Sequence, residues 1–425
     1  MVPRVPALRA AARRSRAAIP SPRARGEGEP PDPMPAEAAR EVEALEAQAQ
    51  RLMGTFMRAG YEQIAPAIIQ PAGLFLDVVG EQLRARTYVF TDPDGEELCL
   101  RPDLTVPTCR LHLERHPHGN VRARYCYSGP AFRYQAAGGD RTHPREFRQA
   151  GIESFAAADP DQDDAAVLAL TIQALREAGL DDFQIRIGDL GLFGALLKAV
   201  PMPPRWRRQL RHHFWRPEAF RAELARLTSK AALEARNVPP ELVELPEGSP
   251  PEEAQLRLEA YLERSGLELV GTRTLAEIAE RLLAEAADAR ETPLGPDIAA
   301  LIESYAAAEA PAREAAARLE ALIRPHRLDL AAALGAFKRR LALLEDAGVD
   351  MGAATFAAEF GRDLEYYTGF VFEIVSPRLG PASPIAGGGR YDELMADVGA
   401  PTPVPAVGSC IHTERLLAAL ERERP

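Results

Sequence analysis

Three short runs carry the side chains of this chain most suited to holding a ligand. In REFRQAGIESF, Phe147, Gln149, Gly151 and Glu153 recur at every second position. A strand turns all four to one face and sets the amide and the carboxylate about 13 Å apart, room for a small polar ligand. A solvated antiparallel sheet face has the same alternation. Gly151 argues against that, because glycine inside a strand marks close approach by something else. LRPDLT adds Asp103 and Thr105, again two apart and on one strand face. GRDLEYYTGFVFEIVSP contributes Arg362, Tyr366 and Tyr367, a cation and two phenols. An arginine fork suits a carboxylate or phosphate, although a lone arginine also reads as half of a surface ion pair.

Other patterns invite chemistry that their spacing does not support. GGGRYDEL, from Gly387, is neither GxGxxG after a parallel strand nor GxxxxGK, so it reads as a glycine turn that lets backbone pass close to a ligand, with Asp392 capping a helix beyond. HLERHPH sets His112 and His116 four apart, but no glutamate follows the first histidine as HExxH requires. No metal is expected there. No GxSxG or Cys/His signature marks a nucleophile, so no catalytic residue is assigned. Cys99, Cys109, Cys126 and Cys410 lack CxxC spacing and read as reduced thiols of a cytosolic protein.

The elements that must position these groups follow from periodicity. Val42, Leu45, Ala49, Leu52 and Phe56 form one helical face closed by Gly60. YEQIAPAIIQP is extended, and Pro66 and Pro71 place it at an edge. TYVFTDPDGEELCLRPDLT is a hairpin across Asp92-Pro93-Asp94-Gly95, and VRARYCYSGPAFRYQ pairs with REFRQAGIESF. Asp163 and Asp164 would cap a helix that stops at Gly179. Residues 199–345 are Ala, Leu, Glu and Arg in helical periods, a helical insertion. After it come a strand in YYTGFVFEIVS, the glycine turn, a short helix, a strand in AVGSCIH and a last helix. One α+β domain, 34–198 and 346–425, is split by 199–345.

The 425 residues carry a formal charge of −11. Residues 34–425 hold 44 basic against 59 acidic side chains, a poor general grip on nucleic acid. No apolar run is long enough to span a bilayer, so a cytoplasmic protein is expected, with no membrane association. Residues 1–33, rich in Arg, Ala and Pro, should be disordered: either an over-extended start upstream of Met34 or an organelle transit peptide.

Taken in order, LRPDLT, FRYQ with PREFRQAGIE, RDLEYYTGFVFE, AGGGRYDEL and AVGSCIHTERL resemble the landmarks of the histidyl-tRNA synthetase catalytic domain, over about residues 36–420. The resemblance implies a class II aminoacyl-tRNA synthetase-like antiparallel sheet flanked by helices, with a helical insertion. It also implies a histidine pocket built from Asp103, Thr105, Gln149, Glu153, Arg362, Tyr366 and Tyr367. Arg133 and Arg415 match the two arginines that contact phosphate in class II enzymes.

Three departures separate this chain from a working synthetase. It stops soon after Glu414, where an anticodon-binding domain would continue. Gln135 stands where the family has a glutamate that helps fix ATP, leaving Arg133, Gln135 and Arg415 as a residual nucleotide or phosphate site. His412 stands where synthetases have glycine, and should crowd the nucleotide. The pattern resembles the ATP phosphoribosyltransferase regulatory subunits. That family implies a non-catalytic partner of a short-form phosphoribosyltransferase catalytic subunit, which joins ATP to phosphoribosyl pyrophosphate. It further implies histidine as feedback effector, no cofactor, no tRNA, and a dimeric core of this chain in a hetero-oligomer, a hetero-octamer. An active histidyl-tRNA synthetase with its anticodon module in trans is the alternative, and a structural paralogue with a dead pocket the third reading.

Overall fold

The computed structural model describes residues 39–76, 81–135, 139–140, 142–214, 216–234, 238–246, 249–267, 274–360 and 366–421. Among the described residues twelve strands run in chain order as β1 (Glu62–Gln63), β2 (Ile69–Pro71), β3 (Val89–Thr91), β4 (Glu97–Leu100), β5 (Ala123–Phe132) and β6 (Glu146–Phe155), then β7 (Gln184–Asp189), β8 (Glu309–Pro311), β9 (Ala354–Ala357), β10 (Phe370–Val375), β11 (Ala386–Arg390) and β12 (Ala406–His412). Nine of them form one sheet in the order β1-β5-β6-β12-β11-β10-β7-β9-β8, and β2-β4-β3 form a second.

Local chemistry explains the hairpins. Asp92 Oδ1 accepts the amides of Asp94 and Glu96, closing the β3–β4 turn. β5 and β6 pair antiparallel over ten residues, from Ala123 opposite Phe155 to Phe132 opposite Glu146. Every pairing from β5 through β12, β11 and β10 to β7 is antiparallel, while β1–β5 and β7–β9 are parallel. Of the two prolines expected at an edge, Pro71 ends β2, at an edge of the small sheet, while Pro66 lies between strands.

The first helix, Ala39–Arg58, buries Leu45, Leu52, Met53 and Phe56 on one face, and Gly60 follows at φ +84°. The helix Pro160–Glu177 buries Val167, Leu168, Ile172 and Leu175, and Gly179 follows at φ +102°. Its cap is Asp159, whose side chain accepts the amide of Gln162. Asp163 and Asp164, expected as caps, lie inside the helix as buried ion-pair partners. Arg122 reaches Asp163 at 2.9 Å, and Arg390 and Arg340 reach Asp164 at 2.7 and 3.4 Å.

Two further expectations are corrected. The glycines 387–389 form the strand β11 between β10 and β12 rather than a turn. A Cβ on Gly388 would lie 2.1 Å from the Gly408 carbonyl oxygen, so the close approach is strand to strand. Asp392 caps no helix; its Oδ1 accepts from the Ala406 amide and the Arg390 guanidinium. Likewise, Asp103 and Thr105 do not share a strand face. Asp103 sits in the loop before the helix Thr105–Arg115, and its Oδ1 accepts the Val106 amide at 3.2 Å.

The chain divides into two compact units, residues 201–300 and the remainder of the described chain. Within 201–300, Val238, Leu242, Leu245, Ala254, Leu258, Ala279 and Ala286 form a core. Buried Asp288 accepts from Trp206 Nε1 at 2.7 Å and pairs with Arg205 and Arg226. The other unit holds both sheets and the helices Ala312–Ile323 and Ala331–Asp346. There Arg340 on the latter helix meets Asp189 at 2.7 Å. Among the described residues no helix is long and apolar enough to cross a membrane.

Candidate functional site

A cavity of about 270 Å³ opens on the face of the large sheet formed by β6, β11 and β12. Strand alternation brings Phe147 and Gln149 of β6 to it. The loop before the helix Thr105–Arg115 and that helix's first residue supply Asp103 and Thr105, and the segment entering β10 supplies Tyr366 and Tyr367. Arg133, Gln135 and Arg415 line the same cavity. Glu153 does not line it, and Arg362 lies outside the described residues.

The cavity lining includes buried acceptors. Asp103 is 3% exposed and Gln149 1%. Asp103 Oδ2 and Gln149 Oε1 have no hydrogen-bond partner, although Gln149 Nε2 donates to Cys410 Sγ at 3.5 Å. Burial raises the Asp103 carboxyl above its ordinary range, and the Arg133 charge partly opposes that. The cavity therefore has hydrogen-bonding capacity suited to a ligand donor such as an ammonium group.

Beside these acceptors stand three phenol rings. Tyr366 lies 4.9 Å from Tyr367 and 5.6 Å from Tyr391, centroid to centroid. Burial pushes the Tyr366 and Tyr391 hydroxyls well above 10, so both stay neutral. Thr368 and Gly369 hold the segment in place: the Thr368 amide donates to the Arg390 carbonyl at 2.8 Å, and a Cβ on Gly369 would meet Arg390 at 3.1 Å.

Glu153 lies behind this wall, fully buried. Thr105 Oγ1 and Tyr127 Oη donate to its Oε1 at 2.7 and 2.9 Å, and Tyr391 Oη donates to its Oε2. Burial outweighs those three hydrogen bonds and pushes its pKa up to about 7. The space it occupies exists because β12 carries Gly408, where a Cβ would lie 1.6 Å from Oε2. Gly151 serves a similar end: a Cβ there would lie 2.6 Å from both Tyr127 Oη and the Ser409 carbonyl.

Basic side chains line the same cavity. Arg133 Nε donates to the Pro102 carbonyl at 2.8 Å, and its guanidinium lies 5.1 Å from the Phe147 ring. Arg415 donates to the carbonyls of Thr142 and Pro384 at 2.8 and 2.9 Å. Gln135 Oε1 accepts from Arg86. The His412 ring packs 5.4 Å from Phe147 at 35°, filling space on the cavity wall that glycine would leave open. Among the described residues no cluster of His, Cys, Asp and Glu could hold a metal. His112 is buried against Phe155 and Tyr125.

Sequence reasoning did not single out Tyr391, Tyr127, Arg86, His143 or Glu373. Tyr391 stood inside GGGRYDEL, where the glycines drew attention, and a buried tyrosine beside three glycines was the available signal. Arg86 and Glu373 carried no pattern that local sequence could separate from a surface charge.

With that geometry in view, the chain can be compared with known proteins. The family model described as histidyl-tRNA synthetase matches residues 33–287 and 258–416. The ATP phosphoribosyltransferase regulatory subunit of Brucella anthropi is 35% identical over 358 residues, covering 84% of this chain and 92% of that protein. The ATP phosphoribosyltransferase regulatory subunit of Chelativorans sp. is 35% identical over 361 residues, covering 84% and 93%. An ATP phosphoribosyltransferase regulatory subunit/histidyl-tRNA synthetase from Bacillus halodurans C superposes with a TM-score of 0.63 at 21% identity, over 92% of this chain and 83% of that one. That structural likeness shows the fold, the mixed α+β class II synthetase architecture with a mostly antiparallel sheet.

Proposed function

We infer the function of this chain from the family to which it belongs, the ATP phosphoribosyltransferase regulatory subunits, built on the histidyl-tRNA synthetase fold. It is a regulatory, non-catalytic subunit in histidine biosynthesis, and its partner is the phosphoribosyltransferase catalytic subunit. We assign that partner to the short form, with a dimer of this chain at the core of a cytoplasmic hetero-octamer.

Histidine occupies the cavity as effector. The observation that carries this reading is the pair of buried, unpartnered acceptors, Asp103 Oδ2 and Gln149 Oε1, on its wall. They suit the ligand's ammonium, while Tyr366, Tyr367 and Tyr391 suit its ring. Arg362 is assigned to the ligand carboxylate, from its residue type. Arg133, Gln135 and Arg415 are what remains of a nucleotide site, and His412 keeps a nucleotide from seating beside Phe147. An effector shifts turnover only by binding one state of the assembly better than another, so histidine held here stabilises the slow state.

Reconstitution tests the reading. Adding this chain to the short catalytic subunit should raise turnover, histidine should lower it again, and histidine, ATP and tRNA with this chain alone should yield no histidyl-tRNA. Charging of tRNA, or turnover unaffected by this chain, would overturn it.

A further inference from the structure

The first turn of the helix Pro160–Glu177 is gripped by arginines from two different elements. From the end of β11 comes Arg390, whose Nη2 lies 2.7 Å from Asp164 and donates to the Pro160 carbonyl at 2.8 Å. From the helix Ala331–Asp346 come Arg339, which pairs with Asp159 and Asp161, and Arg340. Arg340 is shared among Asp189, Asp164 and Asp161 at 2.7, 3.4 and 3.7 Å. Asp164 therefore stands between Arg390 and Arg340, and all three side chains are buried.

Arg390 is also the residue on which the tyrosine segment rests. Its carbonyl accepts the Thr368 amide at 2.8 Å, and its stem fills the space beside Gly369. Its Nη1 holds Asp392 at 2.8 Å, and the Asp392 amide donates to Thr368 Oγ1 at 3.0 Å. Tyr366 and Tyr367, which line the cavity, immediately precede Thr368. A second route ends at the same place, because the Arg340 guanidinium lies 5.5 Å from the ring of Phe370. Buried ion pairs are commonly no more than structural. Two features argue for a further role here. Both routes converge on residues 366–370, and Arg340 Nε has no hydrogen-bond partner among the described residues, so its fork has another arrangement within reach.

We propose, resting on the histidine reading above for the ligand, that Asp164 is a positioning residue for the cavity: paired with both Arg390 and Arg340, it ties the tyrosine segment to the helix Ala331–Asp346. None of these three side chains lines the cavity, so Asp164 acts through Arg390 and touches no ligand. With its carboxylate in place, Arg390 is held against Thr368 and Gly369, and Tyr366 and Tyr367 keep one setting. Without it, Arg390 retains Asp392 and the Pro160 carbonyl but loses its connection to the helix Ala331–Asp346, and residues 366–370 gain freedom. A contact that moves that helix is thereby felt at the cavity, as a packed ionic network can transmit.

Amide hydrogen exchange on the full chain, without ligand, tests the tie directly. Asp164→Asn keeps the shape and removes the charge, and should speed exchange over residues 366–370 about tenfold while β5 and β6 exchange as in the wild type. Unchanged exchange at 366–370, or an equal rise in β5 and β6, would overturn the proposal, since a merely structural role loosens the whole fold. Arg340→Lys keeps a cation but cannot span two carboxylates. It should act like Asp164→Asn, and it serves alone if that variant fails to fold by circular dichroism. Where both fold, the double variant should exceed neither single one by much; additive effects would overturn the proposal. In calorimetry, Asp164→Asn should bind histidine about tenfold more weakly, and wild-type affinity would overturn the positioning role. No histidine binding by the wild type would overturn the histidine reading, and the exchange measurement would still decide the tie.

Discussion

Asp103 and Gln149 each hold an oxygen atom in the interior without a hydrogen-bond partner. An unpaired buried acceptor costs on the order of 1–3 kcal/mol, a cost that a bound ammonium relieves. Asp103→Ala should therefore weaken histidine binding about tenfold or more, while the unliganded protein melts somewhat lower because the buried Val106 amide loses its acceptor. Calorimetry and a melting curve measure the two halves of that prediction. Across the strand pair from Gln149, the His412 ring lies against Phe147. His412→Gly should create measurable binding of a non-hydrolysable ATP analogue where the wild type shows none; unchanged analogue binding would clear His412 of that role. Much of this wall was legible, because strand alternation alone puts Phe147 and Gln149 together. The retreat of Glu153 behind it was not legible. It depends on Tyr127, Tyr391 and Gly408, which reach the same point from β5, from beyond β11 and from β12, and no local pattern in β6 encodes them.

Among the elements, β11 and β12 carry the tightest steric requirement. With Gly408 against Glu153, a methyl group there has no room short of displacing the carboxylate. Gly408→Ala should abolish histidine binding and lower stability by about 3 kcal/mol or more, measured by denaturant titration. Arg390, at the end of β11, meets Asp164 and Asp392 at 2.7 and 2.8 Å and is buried. Removing it leaves buried Asp164 with Arg340 alone at 3.4 Å, so Arg390→Ala should cost about 3 kcal/mol. The hairpins β3–β4 and β5–β6 could be read from sequence because their partners are neighbours along the chain. The segment FQIRIGD, which becomes β7, carried only Ile185 and Ile187 as a signal. Its partners β9 and β10 lie beyond the helical stretch, and pairing at that distance leaves no local trace. For the same reason the glycines of β11 looked like a turn: residues that avoid strands sit there only because neighbouring backbone and side chains press close from both sides.

For the molecule as a whole, the buried carboxyl links stability to pH. Its folded pKa of about 7 lies above the ordinary glutamate value, so the folded state holds its proton more tightly than the unfolded chain between roughly pH 4.5 and pH 7. Stability then falls as pH rises through that window, by up to about 3 kcal/mol from this group. The Glu153→Gln variant should lack that decline, and urea midpoints at about pH 5 and pH 8 would show it; parallel profiles would contradict it. The acidic balance of the chain, −11 overall, follows from composition alone. The coupling of one proton to the fold follows only from the packing.

The position of β12 also bears on how the protein is made. It lies between β6 and β11 in the middle of the large sheet, although it is the last strand to be translated. While the ribosome is still adding residues up to about 412, β6 has an open flank, and Glu153 has neither Gly408 beside it nor a cavity wall in front. Residues 201–300, whose core closes on itself, can condense earlier in synthesis. A polypeptide released before β12 would have most of its helices and an incomplete cavity wall, and its unpaired β6 edge would be a substrate for chaperones.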